Sequence, residues 1–216
     1  MTAPPLNHAR PATLIGLEAL SRMAGAGLLR RGVPVSMGGD GAPLQAVVAA
    51  ARTLLAEDPA AAWIFRAQRH AIELLVHAEN VALREFLLPQ WLQGERAGTV
   101  PLDAASHALL ATPVGHALCL HGQYRRVVNL QWVGFSVVVP VQVADAVEWV
   151  VVRGEEKRLR IGIDQARGCP PGSRSASITF DGVIFRMDEW LAGAGAAARA
   201  MPLAAALADA VPIPPG

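Results

Sequence analysis

Residues Gly27 to Gly41 read GLLRRGVPVSMGGDG and stand between two segments of helical periodicity. Pro34 and the clustered glycines rule out a continuous helix through this stretch, because proline lacks a backbone donor and glycine is entropically costly in a helix. Gly38-Gly39-Asp40-Gly41 lacks the GxxxxGKS/T spacing of a phosphate loop and follows no strand, so it reads as a tight helix-to-helix reversal. Upstream, a helix opening at Ala12 or Thr13 puts Leu14, Leu17, Leu20 and Ala24 on one face and closes at Gly25 and Gly27. Downstream, Pro43 suits a first helical turn, and Leu44, Val47, Val48, Ala51, Leu54 and Leu55 form a buried stripe.

Asp58-Pro59 caps and starts the next helix, with Trp63, Ile64, Ala67, Ala71, Leu74 and Leu75 turned inward. Asn80 caps another, carrying Val81, Leu83, Phe86 and Leu87, with Pro89 expected to kink it. Near Gly98 the helix formers give way to Val, Thr, Gly and Pro. Strands are expected at Ala117–His121, Tyr124–Asn129, Phe135–Val139, Glu148–Arg153, Arg158–Asp164, Ser175–Phe180 and Val183–Arg186. Gly154-Glu155-Glu156 reads as a hairpin turn and Arg167–Arg174 as a loop. Sequential short strands without intervening helices favour an antiparallel barrel or sandwich over a βαβ sheet. The expected fold is therefore α+β. A helical domain over 1–97 precedes a small antiparallel β-domain over 98–187 and an alanine-rich helical tail over 188–216.

Composition excludes several classes of function. The 216 residues are 52% apolar and 17% charged, which is a globular composition. A net charge of +1 with no basic block gives nucleic acid no clustered positive surface. Val133 to Val143 is the longest strongly apolar run, too short and too broken by Pro140 to span a membrane. The N-terminus MTAPPLNHARP lacks the apolar core of a signal peptide, so a soluble cytoplasmic protein is expected. Cys119 and Cys169 have no CxxC spacing and read as free buried thiols. His70 and His77 are seven apart and His116 and His121 five apart, neither of which brings two imidazoles onto one ion, so no metal is expected.

Three segments resemble, in order, the acyl-CoA dehydrogenase family. Gly32-Val33-Pro34 with Gly38-Gly39-Asp40-Gly41 resembles its "GVPEEYGGLG" loop. Leu88-Pro89, Leu92 and Gly94-Glu95 resemble its "YLPRLASGE" helix end. Gly172-Ser173, Ala176 and Phe180-Asp181-Gly182-Val183 resemble its "GSDTAELVFDDVRVP" strand pair. The resemblance covers residues 12–192 and implies FAD as cofactor and an acyl-CoA or similar thioester as substrate. The family's flavin-contacting stretch "ALTEPGAGSD" corresponds to Val100–Ser106, and "NGTKxWITNA" to His121–Asn129. On that basis Leu102, Asp103, Val127, Val128 and Asn129 are the cofactor-binding candidates. Valine replaces the family's hydroxyl residue at 128, no tryptophan precedes it, and Trp132 falls too late to stand in.

The helix bearing Trp63, Arg66, Ala67 and His70 would line the acyl pocket, although Trp63 and Ala67 also fit a plain core stripe. Arg125 and Arg126 suit a phosphate or carboxylate, and on a strand at most one of them faces a given pocket. Serines 36, 106, 136 and 173 lack nucleophile-elbow contexts. The chain is expected to end about where the family's C-terminal helical bundle, with its catalytic glutamate, begins. Glu189 does not replace that base on spacing, so no catalytic residue is assigned. Two functions stay open. One is a flavin-linked dehydrogenase component, inactive alone, completed by a homo-oligomer or a partner subunit that supplies the helices. The other is a non-catalytic binding or assembly protein on the same fold, without flavin.

Overall fold

A computed structural model describes residues 12–115, 117–131, 134–186 and 189–213. His116 and Trp132 lie outside these residues, as does the Met1–Pro11 segment. Side chains are described from Glu18 onward, so the inward placing of Leu14 and Leu17 also lies outside them. Five α-helices are described: α1 (Ala12–Gly25), α2 (Leu44–Glu57), α3 (Pro59–Val76), α4 (Val81–Leu92) and α5 (Ala194–Ala210). The eight described strands are β1 (Ala97–Thr99), β2 (Leu109–Val114), β3 (Ala117–Val127), β4 (Phe135–Val143), β5 (Ala146–Arg153), β6 (Leu159–Ile161), β7 (Ala176–Phe185) and β8 (Trp190–Ala192). The fold is α+β, as the periodicity implies.

Helix α3 is the axis of the helical part. Asp58 accepts the Ala61 amide at 3.0 Å, Pro59 sits in the first turn, and most of the helix from Ala60 to Val76 is buried. A helix buried nearly all round is a core element. It packs against α1, α2, α4, α5 and β1. At α4, Asn80 accepts the Leu83 amide at 3.1 Å and donates to the Trp190 carbonyl at 2.9 Å, which ties β8 to the start of the helix. Pro89 lies inside α4, which continues to Leu92. Leu44, expected in the buried stripe of α2, is exposed, and so are Val81 and Phe86 on α4. Pro43 stands just before α2 rather than in its first turn.

The Gly27–Gly41 loop reverses the chain between α1 and α2. Asp40 accepts the Gly32 and Ala42 amides at 2.8 and 2.9 Å, and these bonds hold its carboxyl below the usual range. Gly39 presses on the loop's own backbone: a Cβ there would lie 1.9 Å from the Val33 carbonyl oxygen. Arg69 of α3 is fully buried, 3.5 Å from Glu73, and feels the charge of Asp40. Burial pushes its guanidinium down to about 10.

The sheet runs β6-β7-β3-β2-β4-β5-β8. Most pairs are antiparallel, but β1 and β2 both lie parallel to β4, at its Phe135–Val137 end and its Val141–Gln142 end. β1, β2 and β8 are strands the sequence pattern did not reveal. Two pairs of expected strands are each one strand here. β3 passes through Gly122, and β7 passes through Asp181-Gly182 at a register shift in its ladder with β3. Turn-type residues inside a ladder imitate a break in the sequence. Gly154–Glu156 is not a hairpin turn. β5 pairs with β4 and β8 while β6 pairs with β7, so this segment crosses from one side of the sheet to the other. The β4–β5 hairpin turns instead at Ala144-Asp145, with Ala144 at φ 50.

A buried amide cluster joins helices to sheet. Gln68 of α3 donates to the Trp91 carbonyl at 3.0 Å, and its oxygen accepts the Gly98 amide at 2.7 Å and the Asn129 side-chain amide at 2.8 Å. Asn129 also donates to the Gly98 carbonyl at 3.1 Å and accepts from Gln131 at 3.0 Å. The Asn129 and Leu130 backbone amides donate to the Ser173 and Arg174 carbonyls. Replacing Gln68 by Leu strips partners from the buried Gly98 amide, the Asn129 side chain and the Trp91 carbonyl. We expect a loss of about 3 kcal/mol or more of unfolding free energy, read from urea denaturation.

Candidate functional site

The sequence-derived candidates meet at the junction of α3 with the ends of β1 and β3. Arg66 is half-buried and donates through Nη1 to the Val211 carbonyl at 2.7 Å, which ties α3 to the end of α5. Burial lowers its pKa, and the charge of Arg126 on β3 adds to that effect, so Arg126 lies within electrostatic reach. His70, one turn further along α3, is pushed down to about 4 by burial and then by Arg66. Its imidazole is neutral at pH 7. Trp63 and Ala67 of the same helix are buried in the hydrophobic core.

On the sheet side, Leu102 donates its amide to the Arg126 carbonyl at 2.9 Å, and Asp103 Oδ2 accepts the Arg125 amide at 3.0 Å. Asp103 Oδ1 is buried without a hydrogen-bond partner. The carboxylate pushes the Tyr124 phenol up, second to burial. Tyr124 donates to the His107 carbonyl at 3.1 Å and stacks on the His107 ring at 4.7 Å. Arg125 is exposed while Arg126 is half-buried toward the junction, the division expected of adjacent strand residues. Val127, Val128 and Asn129 have no exposed surface. The Asn129 amide is committed to the Gln68 cluster on both its oxygen and its nitrogen.

Gln68 and Gln131 are the residues sequence reasoning missed. A glutamine in a helix and another in a loop carry no motif, and their importance comes from meeting Asn129. Beyond that cluster, a cleft of about 780 Å3 opens in the β-domain, lined by Leu130, Gln131, Phe135, Glu155, Ile161 and Arg174 among others. Its walls come from chain segments far apart in sequence, so no local pattern marks it. The ion pair of Arg96 and Glu155, at 2.6 Å, stands at its rim, and Arg96 also donates to the Phe135 carbonyl at 2.8 Å. His77 is paired with Glu73 at 3.3 Å. Among the described residues no three metal-ligating side chains converge, and no helix is long and apolar enough to cross a membrane.

No protein-family profile matches the sequence, and no curated protein does. Solved structures do match. Glutaryl-CoA dehydrogenase from Mycobacterium smegmatis superposes with a TM-score of 0.74 at 21% identity, over 90% of this chain and 51% of its own. A ChsE4–ChsE5 complex from Mycobacterium tuberculosis gives 0.74 at 18% identity, over 90% of this chain and 52% of its own. PigA, in a structure with FAD and proline, gives 0.74 at 14% identity, over 96% of this chain and 66% of its own. The chain thus spans about half to two thirds of the length of these relatives. At these identities the likeness is one of fold, and it agrees with the three sequence segments that bracket the helices and the sheet: the chain has an acyl-CoA dehydrogenase-like fold.

Proposed function

We propose that the chain is an acyl-CoA dehydrogenase-like, flavin-linked oxidoreductase component whose site lies at the α3–β3 junction. The observation that carries this reading is the acyl-CoA dehydrogenase-like fold, in which α3 and β3 each bring an arginine to the junction. Arg66 on α3 has its pKa lowered first by burial and then by the charge of Arg126 on β3, which lies within electrostatic reach. Like charges are held together at a cost, and an anion between them relieves it. Two guanidinium groups suit the diphosphate of FAD, so these residues fit the anionic part of that cofactor. The ring system finds less, since Val128 has no donor and the Asn129 amide is spent on Gln68, Gly98 and Gln131.

When bound, FAD supplies the hydride acceptor for CH–CH dehydrogenation of an acyl thioester. The chain's own residues bind and orient: Arg66 and Arg126 hold negative charge, and the buried valines exclude water from the wall behind it. Asp103 is the described carboxylate at the junction, and its Oδ2 is already held by the Arg125 amide. A general base must reach the proton it removes. In this reading it comes from a homo-oligomer or a partner subunit.

The spent Asn129 amide and the valine at 128 favour a second reading, an assembly protein that keeps the fold without flavin. Titration with FAD separates the two. Oxidised-flavin absorbance on the chain, alone or with a partner chain, weakened about tenfold by Arg66→Gln with Arg126→Gln, supports the flavoprotein. No bound flavin under either condition supports the assembly protein. Sedimentation velocity is expected to show a dimer or larger species, and a monomer across the accessible concentration range counts against partner completion.

His70 gives the junction a pH signature. Its folded pKa of about 4 lies below the ordinary 6.5, so the unfolded chain binds this proton more readily. Its contribution to stability is complete above pH 6.5 and is lost as the pH falls toward 4. Discounted for the part of the ring that solvent still reaches, the loss is on the order of 2 kcal/mol. Urea denaturation at neutral and acid pH is expected to show His70→Gln losing that much less stability than the wild type on acidification.

A further inference from the structure

The outer face of the sheet carries chemistry that the junction does not use. Between β3 and β7, Leu120 pairs with Val183 and His121 pairs with Asp181, which leaves Gly182 as an extra residue on β7. Gly182 has a φ of +80, the left-handed region that glycine adopts in a bulge. A Cβ at this position would stand 3.0 Å from Arg158 Nη1, 3.4 Å from Cys119 Sγ and 3.5 Å from His121 Cε1. A guanidinium, a thiol and an imidazole therefore converge on the notch that the missing side chain leaves. A second distance ties two of them directly: Cys119 Sγ lies 3.5 Å from His121 Nε2. The pair is two residues apart on β3, hence on one face, while Leu120 between them points into the core. The adjacent carboxylate, Asp181, is held by Arg160 at 2.6 Å, which leaves Arg158 as the cation of the notch.

We propose that the Cys119–His121–Arg158 notch is a reactive-thiol site that exchanges with low-molecular-weight disulfides bearing carboxylates. His121 takes the proton from Cys119 Sγ, and the thiolate attacks one sulfur of the disulfide. A new bond from Sγ to that sulfur forms as the original S–S bond breaks, and the departing thiolate takes the proton back from His121. Cys119 ends oxidised in a mixed disulfide, and the reagent ends reduced to one free thiol. Arg158 receives the carboxylate and stabilises the thiolate formed beside it. Cys169 is the internal control. It is as buried as Cys119, but burial pushes its thiol up, and its neighbours are Ser175, Arg126 and Asp103 rather than an imidazole.

The test incubates the folded full chain with glutathione disulfide and locates the adduct by mass spectrometry. Cys119 is expected to acquire one glutathione while Cys169 stays free. His121→Gln is expected to slow the reaction about tenfold. Arg158→Gln is expected to slow it with glutathione disulfide but not with uncharged hydroxyethyl disulfide. Thermal unfolding checks that each variant is folded, and if His121→Gln is not, the Cys119 over Cys169 selectivity and the Arg158→Gln comparison decide alone. An unreactive Cys119, or one no faster than Cys169, overturns the proposal. So does an unchanged rate in folded His121→Gln, or equal slowing of both disulfides by Arg158→Gln.

Discussion

Two side-chain amides facing each other across the helix–sheet boundary set the geometry of the rest. Gln68 reaches out of α3 to the Gly98 amide of β1 and the Asn129 amide at the end of β3, at 2.7 and 2.8 Å. Gln131 then fixes the Asn129 oxygen. Buried as they are, each of these groups must find a hydrogen-bond partner or forfeit its hydration, so the arrangement tolerates little displacement. The consequence spreads through the chain. α3 cannot rotate without losing β1, and β3 cannot shift without losing the loop that leads into β7, which is held by the Asn129 and Leu130 backbone amides. Asn129 itself sits at φ 65, a left-handed conformation that asparagine accepts better than most residues.

That lock explains why the junction looks as it does. Holding α3 against β3 brings Arg66 within electrostatic reach of Arg126 and leaves His70 under the influence of Arg66. The same lock withdraws Asn129 from any ligand, because an amide cannot satisfy the cluster and a cofactor at once. In the proposed flavin reading, binding at the junction rests on the two arginines rather than on the motif residues that the sequence offered. The β-domain cleft begins on the far side of the same cluster, where Leu130 and Gln131 form part of its wall.

The Gly27–Gly41 loop and the Gly182 bulge illustrate two uses of the same residue. In the loop Gly39 exists because the backbone of Val33 occupies the place of a side chain, and the gain is a compact reversal secured by Asp40. In the bulge the space left by Gly182 is bounded by functional groups rather than by backbone. A glycine in a sequence does not declare which of these it is; its neighbours across the fold decide.

The sequence by itself determined the helices, their caps and the order of helical part before sheet. Asp58, Asn80 and the stripe on α3 act through contacts within a few residues, and such local physics is written in spacing. It also supplied the three segments that place the chain in an acyl-CoA dehydrogenase-like fold. Strand continuity through Gly122 and Gly182, the parallel seating of β1 and β2 on β4, and the crossing at Gly154–Glu156 were decided only by the tertiary structure. Pairing between strands distant in the chain depends on partners that no local window contains. The candidate site divided along the same line. Arg126 was legible as one of two adjacent arginines, but Gln68, Gln131 and the His121–Arg158 surroundings of Cys119 gained their roles from residues that only folding brings near.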